Sequence, residues 1–146
     1  MSRFTDTLTV SPLPDGRNWV LRSDPDDPTR VFGYDVGKEG SGDEVVVPLH
    51  FTTDFASVPR PLWWALSPWG VYGNAAVIHD WLYWDQRRPR SECDRILLDA
   101  ALVLGTSKLT AWTIYLGVRV GGWLAWSSNA KRKASGASKI STIWTH

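Results

Sequence analysis

One stretch, residues 72–83 (YGNAAVIHDWLY), constrains the fold of this chain more than any other. It predicts a helix entered through a glycine-containing turn and apolar over most of its surface, which is typical of a buried helix. At 100° per residue one stripe carries Tyr72, Ala76, His79, Tyr83 and Gln86. Buried ionisable groups cost free energy unless they are paired or bound to a metal. The fold must therefore provide partners for His79 and for Asp80 at the edge of this stripe.

The His-Asp pair allows two interpretations. His79 can be a core histidine bonded to a backbone carbonyl, with Asp80 as a local ion-pair partner. Three features favour a functional site instead: the adjacent carboxylate, Tyr83 one turn further on, and a second acid, Asp94, downstream. Asp94 shares a predicted helical stripe with apolar residues and so points to the core, where it either completes a helix cap or binds His79. We expect the side chains of His79 and Asp94 to meet, because each would be desolvated alone.

Composition narrows the class of protein. With 146 residues, of which 43% are hydrophobic, the chain has the size of one ordinary domain. A net charge of +1 argues against a general polyanion binder, so we expect no nucleic-acid partner. The ten tryptophans exceed what a core of this size needs and favour a protein partner, a polymeric substrate or a membrane surface. Cys93 is the single cysteine, which excludes an intramolecular disulfide and gives no sign of a disulfide-stabilised secreted scaffold.

The N-terminal third predicts an antiparallel β-meander. Short runs of β-branched and aromatic residues at 7–10, 19–22, 31–36 and 44–47 alternate with turns rich in Pro, Gly and Asp. The loop at 51–60 then carries two polar candidates, Asp54 and Ser57. Either both cap backbone turns, as such residues commonly do in loops, or both lie within one shell of His79, which is our prediction.

Two further helices follow the central one. The pattern Ser91-x-x-Asp94 predicts a capping box that opens the second helix, and Ser107 is the expected N-cap of a third helix at 108–126. The third helix approaches the length of a membrane span, but Arg119 at its middle would cost about 2.5 kcal/mol or more there. We interpret it as a core or interface helix with no transmembrane role. The predicted fold is α+β, with a single domain over 1–126 and a basic, flexible tail over 127–146.

Two long motifs carry a resemblance to known proteins. The segment TDFASVPR at 53–60, the segment HDWLY at 79–83 and the later Cys93-Asp94 pair resemble a family of small phage and prophage proteins of uncharacterised function. The resemblance covers residues 8–126. It implies a bacteriophage or prophage source, a location in the virion or the host cytoplasm, and other virion proteins as partners.

The His-Asp-x-x-Tyr spacing also resembles the active-site helix of phospholipase A2, especially the short form found in parvovirus capsid proteins. The resemblance implies that His79 is a general base for water, Asp94 the acid that orients it, and Tyr83 a supporting donor. It further implies calcium as cofactor, with Asp80 as a ligand; we take Asp54 as a second candidate metal ligand. The chain departs from that family in lacking the upstream Tyr-x-Gly-x-Gly loop that supplies backbone oxygens to calcium.

Two functions of different classes remain open at this point. The protein is either a phage hydrolase acting on a lipid or another ester, or a virion structural component such as a tail or head accessory protein. In the second case the same residues form a buried polar network that specifies the fold. A hydrolase should leave His79 reachable from a pocket, whereas a structural network should be closed over.

Overall fold

The computed structural model describes residues 3–54 and 73–142 and confirms the α+β class. Antiparallel strands in two small sheets come first and four helices follow. The chain forms two compact units, Met1–Asp54 with Ser138–His146, and Phe55–Ala137. The strands are β1 (Val10–Pro12), β2 (Trp19–Leu21), β3 (Gly33–Asp35), β4 (Glu44–Val46) and β5 (Thr52–Thr53). The helices are α1 (Gly73–Asp85), α2 (Arg90–Val103), α3 (Lys108–Gly121) and α4 (Trp123–Ala134).

The first unit contains two sheets where the sequence predicts one meander. One sheet has the order β1-β2-β5 and the other pairs β3 with β4, all antiparallel. The turn between β1 and β2 forms as predicted: Asp15 Oδ1 accepts from the backbone N–H groups of Arg17 and Asn18, each at 2.9 Å. β5 lies in the segment predicted as a loop.

The segment that follows α4 belongs to this first unit. The backbone N–H of Thr52 donates to the carbonyl of Lys139 at 2.7 Å, and Phe51 and Ile140 form an antiparallel bridge. The sequence predicts a flexible tail over 127–146; in the part of this segment that the structure describes, residues 127–134 are helical and Ile140 forms a β-bridge with Phe51.

The second unit is built on α1, whose described residues are largely buried. The helix ends at Asp85 because Gln86 adopts a left-handed backbone (φ 59°) while its N–H still donates to the Leu82 carbonyl at 3.0 Å. α2 begins one residue earlier than predicted, with Pro89 at its N-cap. The predicted Ser91 capping box is wrong, because no side chain caps this helix.

The predicted third helix is two helices in the structure. Ser107 is its N-cap, as predicted, and its Oγ accepts from the N–H of Thr110 at 3.2 Å. A break occurs at Gly122, and α4 continues to Ala134 because it packs on α1: Asn129 Nδ2 donates to the Tyr83 carbonyl at 3.2 Å, and Lys133 Nζ donates to that of Asp85 at 2.9 Å. None of the helices described here has the length and apolar content needed to cross a membrane.

Candidate functional site

The carboxylate of Asp94 is the centre of a polar cluster in the second unit. Its described partners come from three helices: His79 and Tyr83 from α1, Arg90 from α2, and Arg119 from α3. Asp94, His79 and Tyr83 are completely buried in this structure. We call these five residues the Asp94 cluster.

One oxygen of this carboxylate makes hydrogen bonds with two side chains of α1. Asp94 Oδ1 lies 2.8 Å from His79 Nε2 and accepts from the Tyr83 hydroxyl at 2.6 Å. The predicted contact between His79 and Asp94 is thus confirmed, and the alternative in which Asp94 completes a helix cap is wrong. Tyr83 is one turn beyond His79, so both side chains leave α1 on the same side and their rings lie 4.2 Å apart.

The other oxygen accepts hydrogen bonds from two arginines. Asp94 Oδ2 accepts from Arg119 Nη1 at 2.8 Å and from Arg90 Nη1 at 3.4 Å. Arg90 also donates to the backbone carbonyls of Val118 at 2.9 Å and Arg119 at 3.2 Å, so it connects the start of α2 to the last turn of α3. These carbonyls are near a helix C-terminus, where a cation is favoured.

Sequence reasoning missed both arginines as site residues. Arg90 lies just before the predicted start of the second helix at Ser91, and Arg119 entered the sequence analysis only as a membrane-insertion cost. Two signals were present: Arg90 precedes Asp94 by four residues, the spacing of helical ion pairs, and Arg119 is the one charged residue between 109 and 126. A lone cation on a largely apolar helix needs a buried acid, and Asp94 is that acid.

Gly122 allows the close approach of α1 to the junction of α3 and α4. A Cβ at this position would overlap the Tyr83 hydroxyl oxygen. On the next turn, Trp126 packs edge-on against the Tyr83 ring at 5.2 Å, and its carbonyl accepts from Gln86 Nε2 at 2.9 Å. These contacts fix the end of α1 and with it the direction of the Tyr83 hydroxyl.

The electrostatics of the cluster favour an ionised Asp94. Burial acts to raise the pKa of this carboxyl, but the hydrogen bond from His79 together with those from Tyr83 and Arg119 lowers it below its ordinary value. Burial, followed by the hydrogen bond to Asp94, raises the pKa of the Tyr83 phenol, which stays a donor. Burial also raises the pKa of the Cys93 thiol, to about 12, so this thiol is no nucleophile at neutral pH.

The cluster fixes the tautomer of His79. An ionised carboxylate has no proton to give, so Nε2 of His79 is the donor in its bond to Asp94. Base chemistry would therefore have to use Nδ1, with Asp94 stabilising the imidazolium that forms.

The sequence of this chain matches the model of one known protein family. A family model described as "Protein of unknown function (DUF1353)" matches residues 31–118. The chain belongs to the DUF1353 family. In this member the matched region contains His79, Tyr83, Arg90 and Asp94 and stops one residue before Arg119. Neither the search of curated proteins nor that of solved structures found a match.

The remaining predicted residues of this DUF1353 protein are Asp80, Asp54 and Ser57. Asp80 is buried on α1, and its side chain leaves the helix about 100° from that of His79. Asp54 follows β5 in the first unit, and Ser57 lies outside the described residues, so their predicted closeness to His79 stays a prediction. Among residues 3–54 and 73–142, no three His, Cys, Asp or Glu side chains are grouped so that they could hold a metal ion.

Proposed function

We propose that this protein is a phage-derived hydrolase that cleaves a carboxylic ester, with His79 as the general base. One observation carries the proposal: the same oxygen of Asp94 binds both Nε2 of His79 and the hydroxyl of Tyr83. These are the two contacts that the phospholipase A2 resemblance requires of the orienting acid and the supporting tyrosine. The phage source is supported by the resemblance carried by residues 53–60 and 79–83.

The proposed reaction uses His79 twice. Nδ1 takes a proton from a water molecule while the water oxygen attacks the ester carbonyl, and the imidazolium is stabilised by Asp94 through Nε2. When the tetrahedral intermediate collapses, the bond to the alkoxy oxygen breaks and Nδ1 returns the proton to that oxygen. The products are a carboxylic acid and an alcohol, and His79 is again neutral. Tyr83 keeps Asp94 in place through a bond that no step breaks.

Calcium belongs to this proposal as a component to be tested. Bound calcium would polarise the ester carbonyl, and Asp80 is the ligand that the resemblance assigns. Calcium takes six to eight oxygen ligands, and one buried carboxylate supplies at most two. The other ligands would have to come from further side chains, backbone carbonyls or water, and no step above depends on calcium.

A second candidate function is favoured by burial. His79 and Asp94 are both 0% exposed, and two arginines cover the second oxygen of Asp94. A closed network of this kind suits a virion structural component, such as a tail or head accessory protein, in which the cluster specifies how three helices pack. Other virion proteins would then be its partners.

One pair of variants separates the two candidates. His79→Asn removes the base, and His50→Asn is the matched control because asparagine tolerates the left-handed backbone at residue 50 (φ 68°). Hydrolysis of a soluble p-nitrophenyl ester and of phospholipid vesicles should be measured with calcium and with EDTA, beside the melting temperature. The hydrolase proposal expects wild-type turnover that His79→Asn abolishes and His50→Asn retains.

The structural candidate expects a different result. Wild-type protein would hydrolyse neither substrate, and His79→Asn would lower the melting temperature, because it removes a buried partner of Asp94. Mass spectrometry of purified phage particles would then find the protein. Turnover that EDTA leaves unchanged would remove calcium from the proposal while retaining His79.

A further inference from the structure

One face of the α3–α4 segment is apolar and exposed. We call it the outer face; its members are Leu109, Trp112, Leu116, Val120, Trp123 and Leu124. Leu109 and Val120 are 80% and 78% exposed, and the other four are about half exposed or more. In α3 these residues follow the spacing 109, 112, 116, 120, which places them within one narrow helical stripe. A contiguous exposed apolar patch of this kind marks an interaction site.

The packing of α3 does not use this exposed stripe. The opposite side of α3 carries Ala111, Ile114 and Val118, all buried, so α3 already packs by another face. The stripe also continues past the break. Gly122 keeps helical backbone angles, its N–H donates to the Val118 carbonyl at 2.8 Å, and the Trp126 N–H donates to the Gly122 carbonyl at 3.0 Å.

The distribution of charged residues indicates what kind of partner binds the outer face. All fifteen acidic residues precede position 100, whereas six basic residues follow it. Lys108 lies at the start of α3, and Lys131, Arg132 and Lys133 lie in the last turn of α4, all of them exposed. The outer face is thus bounded at both ends by cations, with no carboxylate on either helix. Tryptophan and leucine between cations is the composition of helices that lie in a bilayer interface.

We propose that the outer face binds the surface of an anionic phospholipid bilayer. The helix would lie parallel to the surface, with Trp112 and Trp123 at the boundary between headgroups and acyl chains and the flanking Lys108 and Lys131 on lipid phosphates. A second copy of this chain fits less well, because its acid-free helices would bring like charges together. This surface is separate from His79, so the inference goes beyond the proposed hydrolysis and does not rest on it.

The test is vesicle flotation of the full-length protein. Vesicles of phosphatidylcholine alone are compared with vesicles that also contain phosphatidylglycerol, at low and high salt. The variant Leu109→Gln/Val120→Gln reduces the outer face, and Leu49→Gln, an exposed leucine of the first unit, is the matched control. We expect salt-sensitive binding to the anionic vesicles that the double variant weakens at least about tenfold and Leu49→Gln leaves unchanged.

Three results would overturn the proposal. They are no vesicle binding by the wild type, equal binding by the double variant, and a wild-type dimer in analytical ultracentrifugation that the double variant abolishes. Thermal melting shows whether the double variant is folded; if it is not, Lys108→Gln/Lys131→Gln must weaken binding in its place. Binding without ester hydrolysis would refute the hydrolase alone, and hydrolysis without binding would refute the outer face alone.

Discussion

The charge of Asp94 links the stability of this protein to pH. Its pKa is lowered in the folded chain, so the folded state holds fewer protons than the unfolded state as the carboxyl titrates. The stabilisation it contributes is complete above its unfolded pKa, whose ordinary value is 3.8, and is lost as pH falls through the lower folded pKa. Acid should therefore loosen the contacts of α1, α2 and α3 with this residue.

Asp94→Asn tests this linkage. At pH 7 the variant should lose about 3 kcal/mol of unfolding free energy, because Arg90 and Arg119 keep their charges without the carboxylate. The difference between variant and wild type should shrink as pH falls below the ordinary carboxyl pKa of 3.8 and through the lower pKa of the folded state, where the wild-type carboxyl is itself protonated. Urea denaturation at a series of pH values measures this difference in unfolding free energy. The control is Asp26→Asn, at an exposed position. A difference that stays constant with pH would contradict the assignment.

The sequence predicts only part of the Asp94 cluster. The contact of Asp94 with His79 was predictable because two ionisable groups lay on apolar stripes of neighbouring helices. Arg119 was not assigned to it, because helical periodicity places a residue on a face of its own helix and does not say which helix packs there. Arg90 was missed because the helix was expected to start after it, at Ser91.

At the scale of secondary structure elements, Gly122 sets how closely α1 approaches the α3–α4 junction. Its backbone conformation is an ordinary helical one, so glycine is needed here for space alone. The boundary between α3 and α4 at residue 122 is therefore no change of backbone conformation. A glycine costs about 1 kcal/mol of helix propensity relative to alanine, and that cost is offset by the contact it permits.

A double-mutant cycle tests this reading. Gly122→Ala should lower the melting temperature even though alanine favours helix, because the added methyl group overlaps the Tyr83 hydroxyl and the Val118 carbonyl oxygen. In a Tyr83→Phe background only the overlap with the Val118 carbonyl remains, so the same substitution should lower the melting temperature less. Thermal melting of the four proteins gives the coupling. Equal effects of Gly122→Ala in both backgrounds would refute a steric role of the Tyr83 hydroxyl.

At the scale of the whole molecule, the order of strands and helices was predictable but the pairing of the strands was not. Turn-forming residues such as Asp15 predict a hairpin from the local sequence alone. The pairing of β2 with β5 joins residues more than thirty positions apart in the sequence, and no local sequence pattern predicts it. The same holds for residues 138–142, whose basic and small-residue composition suggested a flexible tail.

The bridge between Phe51 and Ile140 makes the second unit an insertion within the first. Domains generally fold in order from the N-terminus as the ribosome makes them. Here the first unit cannot be completed until residues 138–142 have emerged, by which time all of α1 to α4 has been synthesised. The helical unit, although second in the chain, is therefore the first that can fold completely during synthesis. Until residues 138–142 emerge, Phe51 and Thr52 at the edge of the β1-β2-β5 sheet lack their contacts with Ile140 and Lys139.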